Sequence, residues 1–183
     1  MSEYEKMLSG EYYDATCDDL YKKRLKCREI LQSFNNVPAK NEEERKILLN
    51  KLTEKNLNNV YIQPPFYCDY GINLDFGANV FMNFNCTILD CAKVKIGENT
   101  MFGPNVQIYT PLHPIDAKER ATWKEYAKPV SIGENCWIAG NVTILPGVTI
   151  GDNVVIGAGA VVTKNIPSNS LAVGNPCRVI KNI

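Results

Sequence analysis

An aliphatic residue at every sixth position governs what this chain can become. Ile132, Ile138, Ile144, Ile150, Ile156 and Val162 follow one another without a gap. Four residues after each of the first five stand Cys136, Val142, Val148, Val154 and Ala160. An ordinary strand alternates by two and a helix repeats near 3.6, so neither produces this period. A period of six marks a solenoid in which each hexapeptide is a short strand and a turn, with the aliphatic residue and the small residue four positions later both facing inward. Three such strands make a triangular coil of 18 residues, so Ile132 stacks under Ile150.

The same spacing runs backwards through Ile96, Phe102 and Ile108, and before them through Tyr70, Phe76, Met82 and Ile88, with a two-residue excess around Ala92–Lys93. Glycines 97, 103, 133, 151 and 157 directly follow inward residues. Together with the asparagines they are expected to turn the corners, where positive φ is often needed. A core that is a column of Ile and Val leaves no inward room for chemistry, so function belongs outside the coil or on excursions from it.

Residues 1–60 read differently, as a helical segment preceding a solenoid at 61–183. Thr16 and Asp19 stand in capping-box spacing ahead of a stripe of Leu20, Leu25, Ile30, Leu31 and Phe34 that ends at Asn35–Asn36. Beyond Pro38, Asn41 and Glu44 repeat that spacing ahead of an apolar face of Ile47, Leu48 and Leu52.

Lys+Arg and Asp+Glu both number 20, so charge gives no argument for a nucleic-acid or membrane partner. No apolar run reaches spanning length and the opening lacks a secretion signal, so the expectation is a soluble, cytoplasmic protein. The seven cysteines form no Cys-x-x-Cys pair and accompany a single histidine; they read as reduced, small apolar residues, and no metal site is implied.

That histidine, His113, lies in "TPLHPID", inside an interruption of the repeat at about 109–131 that holds three prolines. Long loops leaving a rigid scaffold tend to carry function. His113 has two readings: a loop residue of no consequence, or a general base whose unperturbed pKa suits neutral pH and whose backbone is restricted by Pro111 and Pro114.

The segments "FMNFNCTILD", "TPLHPID", "CWIAGNVTILPGVTIGDNVVIGAGAVVTKNIP" and "AVGNPCRVI", behind a helical opening, resemble the maltose and galactoside O-acetyltransferases in order and over nearly the whole chain. The resemblance implies a left-handed parallel β-helix, a handedness that the general crossover rule would not give. It implies acetyl transfer from acetyl-CoA to a sugar hydroxyl of the maltose, glucose or galactoside type, with His113 as base and no covalent intermediate. It places acceptor contacts on Asn83, Asp69, Asp14, Arg24 and Cys91. Of these, Asp69, Cys91 and Asp14 depart from the galactoside pattern. Coenzyme contacts fall on Gly140, Ala158, Thr163, Lys164, Arg178 and Lys181, with Trp137 beside the cleft. A homotrimer with sites between subunits is implied as well.

Among enzymes with this helix, γ-class carbonic anhydrases need three histidines, and serine acetyltransferases carry a larger N-terminal helical domain. A xenobiotic acetyltransferase acting on chloramphenicol or a streptogramin stays as the alternative; that group lacks the N-terminal helical segment. A scaffold without enzymatic activity would not need His113 and the coenzyme positions together.

Overall fold

The computed structural model describes residues 1–183. Three parallel sheets wrap one column of inward side chains. The first face holds Leu74–Phe76, Val94–Ile96, Val130–Ile132 and Thr149–Ile150. The second runs from Tyr61–Ile62 through Phe81–Met82, Met101–Phe102, Trp137–Ile138 and Val154–Ile156 to Ser170–Val173, where Arg178–Asn182 closes it antiparallel. The third holds Phe66–Cys68, Cys86–Leu89, Gln107–Tyr109, Thr143–Ile144 and Val161–Val162. The chain is therefore a parallel β-helix of hexapeptide repeats, as the period requires. Ile132 pairs with Ile150 and Ile138 with Ile156, and every aliphatic residue of the gap-free block is 1 % exposed or less.

The early coils are longer than the spacing predicts. Met82 pairs with Phe102, Ile88 with Ile108 and Phe76 with Ile96, each 20 residues apart. The extra residues sit at one corner, between the third face and the first. Eight residues separate Cys68 from Phe76 and Ile88 from Ile96, and 24 separate Ile108 from Ile132. The later counterpart, Ile144 to Ile150, keeps six. Tyr70 is consequently out of the column, and Cys68 occupies the inward position paired with Ile88. Tyr70 is buried instead in a second, smaller cluster with Met7, Tyr13, Leu20 and Cys91.

Corner chemistry divides between two residue types. Asn79, Asn99, Asn135, Asn153 and Asn169 hold φ between 52° and 58°, and their side-chain amides hydrogen-bond along the corner, Asn79 to Asn99 at 3.1 Å and Asn99 to Asn135 at 3.2 Å. Glycines such as Gly97 have no positive φ; a Cβ there would stand 2.5 Å from the Gly133 carbonyl carbon of the next coil. Asparagine turns the corner, and glycine lets successive corners touch.

Three helices precede the coil: α1 (Glu3–Ser9), α2 (Asp18–Asn36) and α3 (Glu42–Thr53). The expected capping box of Thr16 and Asp19 is absent, because Cys17 is the N-cap and the Thr16 hydroxyl donates to Asp14 at 2.6 Å. Asn41 is the N-cap of α3 but spends its amide on the Glu44 carboxylate. The one capping box formed is in α1, where Ser2 Oγ accepts from Glu5 N and the Glu5 carboxylate accepts from Ser2 N. Leu25 and Ile47 are exposed, not buried. At 100° per residue, Leu25 lies about 140° from Leu20, off the stripe of Leu20, Cys27, Ile30, Leu31 and Phe34, while Ile47 lies about 160° from Leu49. No helix is long and apolar enough to cross a membrane. All seven cysteines are free thiols, six of them buried.

Candidate active site

The widened corner is where the helical segment and the interruption meet. The interruption leaves the coil as a strand, Pro111–Leu112, passes through the one-turn helix α4 (Ala117–Arg120), and returns as Lys124–Ala127 in antiparallel register. The outer edge of that returning strand takes up Tyr13–Asp14, pairing Tyr13 with Glu125. α2, the long corners and this small sheet enclose a cleft of about 790 Å³.

His113 follows directly on Pro111–Leu112 and lines the cleft. Its Nδ1 lies 3.1 Å from the carbonyl oxygen of Lys124. A carbonyl only accepts, so Nδ1 carries the hydrogen, and in the neutral ring Nε2 is the nitrogen with the free lone pair. Nε2 lies 3.5 Å from Glu125 Oε1, and the Tyr13 hydroxyl donates to Glu125 Oε2 at 2.6 Å.

The wall facing the helices is acidic and buried. Asp90 is fully buried; its Oδ1 accepts from the backbone N–H groups of Asp69 and Tyr70 at 3.0 and 2.8 Å, and its Oδ2 has no partner. Burial, reinforced by the Asp69 charge, pushes the Asp90 carboxyl up to about 7. Burial also raises Asp69, opposed by the Cys91 thiol, which donates to it at 3.5 Å, and by the Arg24 charge. Arg24 is held by α2 with one nitrogen 2.8 Å from Tyr70 Oη and another 2.6 Å from the Ala15 carbonyl.

His113, Asp69, Arg24 and Cys91 thus come together in one cleft. Asp14 does not join them: its carboxylate accepts from the Thr16 N–H and hydroxyl, and it borders a separate hollow beside Glu3 and Lys6. Asn83 is also elsewhere, at the corner between the second and third faces, accepting from the Phe84 N–H at 2.8 Å. The coenzyme set is divided. Gly140 and Ala158 follow second-face strands, at the same corner as Asn83. Thr163 and Lys164 follow Val161–Val162, on the cleft side of the third face. Arg178 and Lys181 are exposed on the closing strand, and Trp137 points out of the second face, 53 % exposed. Sequence reading missed Glu125 and Tyr13, which the antiparallel pairing of Tyr13 with Glu125 brings to the histidine from 112 residues apart.

Two family models match the chain: a maltose acetyltransferase hexapeptide capping motif over residues 6–52 and a bacterial transferase hexapeptide of six repeats over 129–164. The galactoside O-acetyltransferase of Escherichia coli is 41% identical over 179 residues, covering 98% of this chain and 88% of that protein. The chain belongs to the maltose and galactoside O-acetyltransferase family. It is an acetyltransferase of the hexapeptide-repeat type. The crystal structure of a maltose O-acetyltransferase from Clostridium difficile is 51% identical and superposes with a TM-score of 0.98 over 100% of this chain and 98% of that one. A hexapeptide-repeat acetyltransferase of Vibrio cholerae, complexed with acetyl coenzyme A, is 35% identical with a TM-score of 0.92 over the same shares of the two chains. A galactoside acetyltransferase in complex with coenzyme A is 40% identical, TM-score 0.91, covering 100% of this chain and 92% of that chain. In this chain the interruption with His113 and the helical opening are parts of one cleft.

Proposed function

We propose that this acetyltransferase transfers the acetyl group of acetyl-CoA to a hydroxyl of a sugar of the maltose, glucose or galactoside type, with His113 as general base. The observation that carries the reading is the Nδ1 contact with the Lys124 carbonyl, which makes Nε2 the accepting nitrogen of the neutral ring, on the cleft side. The acceptor hydroxyl gives its proton to Nε2 while its oxygen attacks the thioester carbonyl carbon. The carbon–sulfur bond breaks, the sulfur takes the proton back from Nε2, and the products are an acetyl ester and free coenzyme A thiol. A sugar suits the cleft because Asp69, Glu125 and Arg24 offer acceptors and donors to several hydroxyls at once.

Relatives bound to coenzyme A or acetyl-CoA support the co-substrate. In this chain Gly140 has no side chain and Ala158 only a methyl, so a pantetheine arm can lie close to the coil, and Thr163, Lys164, Arg178 and Lys181 are exposed to contact phosphates, with Trp137 flanking. Asn83, Gly140 and Ala158 lie at one edge of the third face and His113 at the other, so a homotrimer that sets one edge against the next copy's other edge completes the site. The outside of the second face supports this. Tyr61, Phe81, Met101, Trp137, Val155 and Leu171 stack into a continuous apolar ladder, whereas the first face presents Asp75, Lys95, Ser131 and Thr149. Face-wide apolar surface of this kind belongs in a contact.

Thiol release from acetyl-CoA is the test, with maltose, glucose, a galactoside and chloramphenicol as separate acceptors. The sugars support turnover, and His113→Ala lowers kcat by at least about 10²-fold while acetyl-CoA still binds. Full turnover by that variant removes the base assignment; turnover with chloramphenicol alone replaces the sugar.

A further inference from the structure

Glu125 stands on the reactive nitrogen of His113 and not behind the ring. In a Ser–His–Asp arrangement the carboxylate orients the back nitrogen. Here the back nitrogen, Nδ1, is already committed to the Lys124 carbonyl at 3.1 Å, and the carboxylate is 3.5 Å from Nε2. With a neutral ring, two electron-rich atoms face each other at that distance. The arrangement becomes favourable when Nε2 has taken the acceptor's proton and the ring is cationic. The carboxylate therefore interacts best with the state reached during acetyl transfer, which is the condition for raising kcat.

Glu125 is also fixed more firmly than a loop side chain requires. The Tyr13 hydroxyl donates to its second oxygen at 2.6 Å, and Tyr13 itself is 2 % exposed. The two residues are paired in backbone register as well, so the strand carrying Tyr13 fixes both the main chain and the side chain of Glu125. The nitrogen, the carboxylate and the phenol form one line, from the base to the N-terminal helical segment.

We infer that Glu125 is a positioning residue for the general base, balancing the charge that forms on His113, and that Tyr13 holds it in place. The inference rests on the general-base reading above. It gives the N-terminal segment a part in the acetyl-transfer step in addition to enclosing the cleft.

The experiment measures thiol release from acetyl-CoA, with maltose as the acceptor probe, for Glu125→Gln, Tyr13→Phe, their double variant and each combination with His113→Ala. Both substitutions keep size and shape, and melting curves confirm that each variant is folded. Glu125→Gln is expected to lower kcat by about 10²-fold while the KM for acetyl-CoA stays within about 3-fold. Tyr13→Phe lowers kcat about 10-fold, and the double variant is no slower than Glu125→Gln, because both act through one carboxylate. In the His113→Ala background Glu125→Gln has no further effect. Full kcat for Glu125→Gln beside an inactive His113→Ala overturns the inference and leaves the base reading standing. Full activity in both removes the base reading itself. Additive losses for Tyr13 and Glu125 break the link between them.

Discussion

The coil between Val130 and Val162 and the coils between Tyr61 and Tyr109 are built from the same repeat, yet one is regular and the other is not. In the later region Ile132 and Ile150 pair at 18 residues, and the corner after the third face spans six positions, Ile144 to Ile150. In the earlier region partners are 20 apart, and the same corner spans eight residues twice and then 24. At the far end the bridge between Ile150 and Ile166 leaves only four, Val162 to Ile166. Every surplus residue sits at one corner, and surplus residues stacked in successive coils make a cleft where a regular coil has a smooth edge. The regular part supplies rigidity; the irregular part supplies Asp69, Cys91 and His113 and their surroundings.

Three substitutions separate these roles. Ile138→Ala removes a fully buried side chain from the middle of the column and is expected to cost about 2–5 kcal/mol, read from urea unfolding. A cost below about 1 kcal/mol would mean that the column does not hold the coil together.

Asp90→Asn tests the corner. The wild-type carboxyl is raised from 3.8 to about 7, a gap corresponding to about 4 kcal/mol at full ionisation. A raised folded value means that the stabilisation is complete below about pH 4 and is lost as pH rises to about 7. The asparagine variant does not titrate there, so its melting temperature relative to the wild type rises steadily from pH 4 to 7 and is flat above pH 8. A constant difference across that range contradicts the burial of a carboxyl at this corner.

Leu25→Ala, on the exposed side of α2, should change stability by less than about 0.5 kcal/mol. A larger loss would put Leu25 in a contact between copies.

The two regions also differ in how far the sequence reveals them. The column from Ile132 to Val162 is legible residue by residue, because one side chain in six obeys one rule. Tyr70 is not: it keeps the spacing by coincidence, while the long corner moves the inward position to Cys68. Periodicity likewise locates the interruption but not its contents. The match of Tyr13 to Glu125 depends on an antiparallel pairing of two short strands, which leave no period behind. Leu25 and Ile47 read as members of the apolar stripes, although their angles place them outside. Asn83 and Gly140 were legible only through resemblance, since one copy of the chain leaves them at the far edge of the third face.

That separation underlies the central proposal: His113 belongs to one edge and Asn83 to the other, and we propose that a working site takes one edge from each of two copies. Complementation tests it most directly. His113→Ala and Asn83→Ala chains, each first assayed alone and expected to be inactive, are co-expressed in equal amounts, purified as mixed assemblies and assayed for thiol release from acetyl-CoA. Random assembly into trimers is predicted to restore about a quarter of wild-type activity, because about one interface in four pairs an intact histidine edge with an intact asparagine edge. No recovery in assemblies shown to contain both chains would contradict a site shared between copies.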